Sequence, residues 1–120
     1  MKESILKSKS YEFAKAIVHA CYKLNNQREF ILSKQLLRSG TSIGAMIRES
    51  EFGQSKADFV SKLSIALKEA NETEYWLSLL HDTNLIKDEL YNSLSPMCRE
   101  LIRLLAASVK TLNSSKSENC

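Results

Sequence analysis

Apolar residues recur at helical spacing in four separate stretches of this chain. In the first, Phe13, Ile17, Ala20 and Leu24 follow at steps of four, three and four, one stripe of an α-helix. That helix is expected to begin between Ser4 and Ser10 and to end at the polar run Asn25-Asn26-Gln27. The second stretch carries Leu32, Leu36, Ile43 and Ile47, with Gly40 at the turn between. It predicts a helix from 29–33 to Phe52, with Gly53 suited to a left-handed stop. Gly40 and Gly44 inside it each cost about 1 kcal/mol relative to alanine, so a neighbouring backbone is expected to pass close to them. The third stretch opens with Ser55-Lys56-Ala57-Asp58, a capping-box pattern in which Asp replaces Glu. Phe59, Leu63, Ala66, Ala70, Thr73, Leu77 and Leu80 then alternate steps of four and three, the seam of an antiparallel bundle, and Asn84 suits the stop. In the fourth, Leu90, Leu94, Met97, Leu101, Leu104, Ser108 and Leu112 predict a helix over 87–112. Its stripe keeps register across Ser95-Pro96, which favours one kinked helix over two separate ones.

Four helices joined by short connections predict an all-α fold, an antiparallel up-down-up-down four-helix bundle over residues 1–112. Residues 113–120 read as a frayed, disordered tail. Three glycines and one proline in 120 residues are too few for the turns of a β protein. Cys21, Cys98 and Cys120 stand at no metal-ligand spacing and are expected to be reduced, the first two as small core hydrophobes. No leader segment and no apolar run long enough for a membrane span is present, so the cytoplasm is the expected compartment and no membrane partner is expected.

A helix of a monomeric bundle needs one wet face, and two of these helices lack it. Ile65, Trp76 and Leu79 project within about 60° of one another, away from Phe59, Leu63, Ala70 and Leu77. Tyr11, Val18 and Tyr22 do the same on the first helix. Trp and Tyr are enriched at interface cores, so these six positions predict self-association. Net charge is only +3, but residues 1–53 carry nine Lys/Arg against five Asp/Glu, a local +4. On the fourth helix Arg99, Arg103 and Lys110 share one pole; on the second, Lys34 and Arg38 do, with Arg48 to one flank and Glu49 diluting the line. Cations along a rigid rod suit phosphate contact, and a simple solvated face is the alternative for each stripe. Helices two and four are diagonal in such a bundle, so the stripes do not merge within one chain.

Catalytic patterns are missing. His19 and His81 have no Cys, Asp or Glu at a metal-binding helical spacing of three or four. Glu69 and Glu72 resemble half of a di-iron site, yet the Glu-x-x-His pairing is absent. Lys68 with Glu72 and Asp58 with Lys62 are read as surface pairs. No nucleophile elbow or phosphate loop occurs. The expectation is no enzyme, no cofactor and no metal.

Gln35-Leu36-Leu37-Arg38-Ser39-Gly40-Thr41-Ser42-Ile43-Gly44-Ala45, followed by Ile47 and Glu49, resembles a signature of the four-helix bundle proteins encoded in intervening sequences of bacterial 23S rRNA genes. Asp58-Phe59, Leu63 to Ala70, Glu72-Thr73 and Tyr75-Trp76-Leu77 are similar to the second signature block of that family, and Phe13-Ala14 and Glu100-Leu101-Ile102 also fit. Met46 stands where the family often has Asn. The resemblance implies a four-helix bundle assembled as a homopentameric ring. Relatives include the accessory proteins of diversity-generating retroelements, which bind nucleic acid and partner a reverse transcriptase. The resulting expectation is an oligomeric adaptor for structured RNA or DNA, with a structural or protein-interaction module as the alternative.

Overall fold

The computed structural model describes residues 2–118, with side chains from 5 to 114. Four helices make the fold: α1 (Lys2–Asn26), α2 (Ile31–Ser50), α3 (Lys56–Asp82) and α4 (Asp88–Glu118), and the described residues contain no strand. Each helix packs on its successor and α4 returns to α1, so α1 and α3 form one diagonal, α2 and α4 the other. This is the up-down-up-down bundle. The α1–α4 seam is the loosest of the four.

The first three stripes fill the core as their spacing predicts. Phe13, Ile17 and Leu24 of α1 meet Leu36 and Ile43 of α2, and Leu63, Leu77 and Leu80 of α3, all buried. On α4 the buried line is Leu94, Cys98, Leu101 and Leu105, whereas Met97, Leu104, Ser108 and Leu112 lie half-buried on the flank. Periodicity places the α4 stripe one position away because it cannot sense that α4 is rolled towards α3. Polar bonds fix that roll: Cys98 Sγ donates to Ala70 O at 3.3 Å and Ser95 Oγ donates to Glu74. Ser39 and Thr73 hydroxyls, 2.9 Å apart, link α2 to α3, and Cys21 and Ser33 exchange side-chain to backbone bonds between α1 and α2.

Helix ends differ from expectation in instructive ways. Gly53 has no positive φ; α2 stops at Ser50, and Gly53 is small because a Cβ there would stand 3.2 Å from Phe59 N and Ser50 O. The left-handed residues are Arg28 (φ 64) and Asn84 (φ 63). Around Asn84 the amide of Leu85 reaches Leu80 O and that of Asn84 reaches His81 O; around Arg28, Glu29 reaches Leu24 O and Arg28 reaches Asn25 O. Both are Schellman closures. The α3 start is as predicted, with Ser55 Oγ accepting from Asp58 N at 3.0 Å. Helix α4 is continuous through Pro96, which sits on its exposed side, and Ser95 is no cap. It runs to Glu118, past the stop its apolar stripe places at Leu112; Asn119 and Cys120 lie outside the described residues.

The interior glycines answer to α1. A Cβ on Gly40 would lie 2.9 Å from two carbons of the Ile17 side chain, and one on Gly44 would lie 3.3 Å from Ser10 Oγ. The close neighbour at Gly40 is thus a branched side chain, not a backbone.

Candidate nucleic-acid interface

Helix α4 presents Arg99, Arg103 and Lys110 along its outer pole, with the exposed Ala106 and Ala107 between the last two. The spacing of four and seven residues keeps them in line because seven residues is almost two full turns. The guanidinium side chains of Arg99 and Arg103 are 66% and 68% exposed, so a large ligand can reach them. Arg99 leans back on Glu74, 3.3 Å away, and donates to the Tyr91 hydroxyl at 3.4 Å. Arg103 approaches Glu100 only to 3.7 Å, and Glu100 is shared with Lys9 of α1 at 3.1 Å. Along this face Lys9, Arg99, Arg103 and Lys110 stand against Glu74 and Glu100, four cations to two carboxylates.

The α2 stripe is different. Arg38 is exposed, yet its guanidinium is held between Glu69 and Glu72 of α3, with Nη1 at 3.2 Å from Glu69 and Nη2 bonded to Glu72. Glu72 also accepts from Trp76 Nε1 at 2.9 Å, and Arg38 Nε donates to Gln35. The two sequence blocks that carry the family resemblance are therefore stitched together by one polar seam. Arg38 is spent on that seam, which leaves Lys34 and Arg48 as the α2 cations with no ion pair among the described residues. The surface pairs expected within α3 do not form. Glu72 turns to Arg38, Lys62 reaches Glu49 of α2 at 3.8 Å, and Asp58 accepts from Gln54 N at 3.2 Å. A cross-helix partner within reach displaces the weak i, i+4 pair.

The expected self-association residues fall into two groups. Tyr11, Val18 and Tyr22 are exposed on α1. Tyr11 lines a groove with Ala14 of α1 and Thr41, Gly44, Ala45 and Arg48 of α2. Ile65 is 39% exposed, whereas Trp76 and Leu79 are half-buried, Trp76 against the core and edge-on to Tyr75. Periodicity did not single out two further exposed residues, Leu37 on α2 and Tyr75 on α3, the second edge-on to Trp76. Their exposure depends on the roll of each helix.

A second polar node was not legible in the sequence at all. Glu74, whose side chain is 18% exposed, accepts from Ser95 at 3.0 Å and from Tyr91 at 3.4 Å as well as from Arg99. Beyond it His81 stacks on Tyr91 with ring centroids 4.1 Å apart and bonds Asp88 at 2.7 Å. Burial, with the Glu74 charge nearby, pushes the Cys98 thiol up to about 12, and burial raises Cys21 as well. Both thiols stay protonated near neutral pH and are poor nucleophiles. A cleft of about 560 Å³ opens between the end of α1 and the start of α4, floored by Leu24, Leu85, Ile86 and Leu90. Its ionisable lining is Lys23, Lys87 and Glu89, with no histidine, thiol or paired carboxylates. Among the described residues no cluster of three or more His, Cys, Asp or Glu suits a metal, and no helix is long and apolar enough to cross a membrane.

Fold and surface together define a four-helix bundle with exposed basic and apolar side chains on its outer faces. Residues 2–107 match the family described as 23S rRNA-intervening sequence protein, and the chain belongs to that family. Among solved structures it is similar, at 55% identity and a TM-score of 0.87, to a protein of unknown function from the S23 ribosomal protein family of Bacteroides thetaiotaomicron VPI-5482. That likeness covers 92% of this chain and 99% of the other. No curated protein matches.

Proposed function

We propose that this protein is a non-enzymatic adaptor that assembles with copies of itself and binds structured RNA or DNA by phosphate contacts along α4. The observation that carries this is the exposed line Arg99, Arg103 and Lys110, which with Lys9 of α1 sets four cations against two carboxylates. Each phosphate neutralised releases condensed counterions, so affinity should fall steeply with salt. Its proposed compartment is the cytoplasm, in keeping with unpaired Cys21 and Cys98. Self-assembly rests on two unlike patches, Tyr11 in the α1–α2 groove with Val18 and Tyr22 exposed on the same helix, and Ile65 with the half-buried Trp76 on α3. Unlike patches dock head to tail, and head-to-tail contacts that close make a ring; a homopentamer is the proposed assembly. Such a ring repeats the α4 line around its circumference.

The test is fluorescence anisotropy of a labelled RNA hairpin titrated at about 50 and about 200 mM salt. Wild type should bind, more weakly at the higher salt. Arg99→Ala with Arg103→Ala should weaken binding and flatten the salt dependence, while Lys34→Ala with Arg38→Ala should change it less, because Arg38 is already paired. No binding at the lower salt rejects the proposal. The exposed apolar residues Tyr11, Val18 and Tyr22 of α1 then favour a second reading, a protein-interaction module.

A further inference from the structure

We infer that the ligand of the α4 face is a double-stranded nucleic acid, gripped without regard to sequence, and that single strands are the poorer ligand. This rests on the nucleic-acid reading above and names its substrate class. Two opposing effects decide between a duplex and a single strand. Charge density favours the duplex, which carries one charge per ~1.7 Å of axis against one per ~3.4 Å along each of its strands, so each neutralised phosphate returns more counterion entropy. Base stacking on aromatic side chains favours single strands, whose bases are free to stack. The α4 face has the first and lacks the second.

The absence of a platform is visible residue by residue. Tyr91, the aromatic beside Arg99, has one ring face covered by His81 in parallel stacking at 4.1 Å, and its hydroxyl is held by Glu74 and Arg99. The exposed aromatics Tyr11, Tyr22, Phe30, Phe52 and Tyr75 belong to α1, α3 and the connections. Between Arg103 and Lys110 the exposed positions are Ala106 and Ala107, too short to reach a base edge or wedge between bases. What remains is a continuous helix with cations about 6 and about 10 Å apart along it, from the helical rise. A rigid array of cations meets a rigid array of phosphates without first ordering it, whereas a flexible strand must lose conformational freedom to comply. With only small residues exposed between the cations, no second side chain is placed to aim them at a base edge, and the grip is assigned to the backbone.

The experiment uses one sequence in four forms: labelled single-stranded RNA and DNA, chosen free of self-complementarity, and the duplex of each, titrated into the full chain across a salt series. With three phosphate contacts per copy, the duplex and single-strand slopes differ by about 0.6, so the preference for duplex should grow about fourfold for each tenfold drop in salt. Arg103→Ala with Lys110→Ala should lower the duplex slope by about 1.8 while melting temperature and sedimentation stay unchanged, since both side chains are on the surface. Single strands binding as tightly as duplex at the lowest salt, with the double variant weakening both, overturns the inference and leaves the broader function standing. Failure of all four forms to bind overturns both.

Discussion

Gly40 shows how one missing methyl sets the approach of two helices. Ile17 is fully buried and branched at Cβ, so it has little freedom to move from the 2.9 Å contact that a new Cβ would make. Gly40→Ala should therefore destabilise the chain by roughly 1–2 kcal/mol, overpacking outweighing the helix-propensity gain. Gly44→Ala meets a serine hydroxyl at 3.3 Å and should be near neutral, within about 0.5 kcal/mol. Urea denaturation of the two variants checks the contrast, and equal effects would refute the packing account. The same scale explains Arg38. Read alone it is a surface cation, but in the bundle its charge is matched by Glu69 and Glu72, and its role shifts from ligand contact to holding Glu72 beside the Trp76 indole.

Among the elements, α3 has the best-defined start. Ser55 accepts from Asp58 N and Asp58 accepts from Gln54 N, so one amide of the first turn of α3 and one of the connection before it are satisfied together. Ser55→Ala should cost about 1 kcal/mol, seen as a lower urea midpoint at unchanged slope, whereas Ser61→Ala on the exposed side of the same helix should change stability by less than about 0.5 kcal/mol. A null result at Ser55 would mean that Asp58 alone holds the turn. Helix α4 lacks the amide of Pro96 yet does not break. The proline faces solvent, where water can satisfy the freed carbonyl, while Leu94, Cys98 and Leu101 keep the inner face packed on either side of it.

For the whole molecule, the question is what covers the exposed aromatic face of α1. Tyr22 is 67% exposed, so Tyr22→Asp leaves the monomer fold intact and should dissociate a ring that depends on it. Trp76→Asp should instead lower stability first, because its indole packs on the core and its N–H is bonded to Glu72. Sedimentation equilibrium at micromolar protein, beside circular dichroism, separates the two. A wild-type mass of 13.6 kDa at all concentrations would end the assembly proposal.

Sequence by itself determined the number of helices, their order and most of the core. Phe13, Ile17, Leu36, Ile43, Leu63 and Leu77 are buried wherever a 3.6-residue period puts them, because a helix with one apolar stripe has only one face to hide. The third helix and its cap were legible to the residue, and so was Asn84 as its stop, though the left-handed conformation was expected at Gly53 and falls at Asn84 and Arg28 instead. Arg99, Arg103 and Lys110 were legible as a line for the same reason, since their alignment is a property of the helix alone. What only the tertiary structure decided is every relation between helices. The roll of α4 towards α3, the capture of Arg38 by α3, the Glu74 node and the half-burial of Trp76 all depend on which neighbour stands within about 4 Å. A period of 3.6 fixes where a side chain sits around its own axis, but carries no information about which charge waits on the next one.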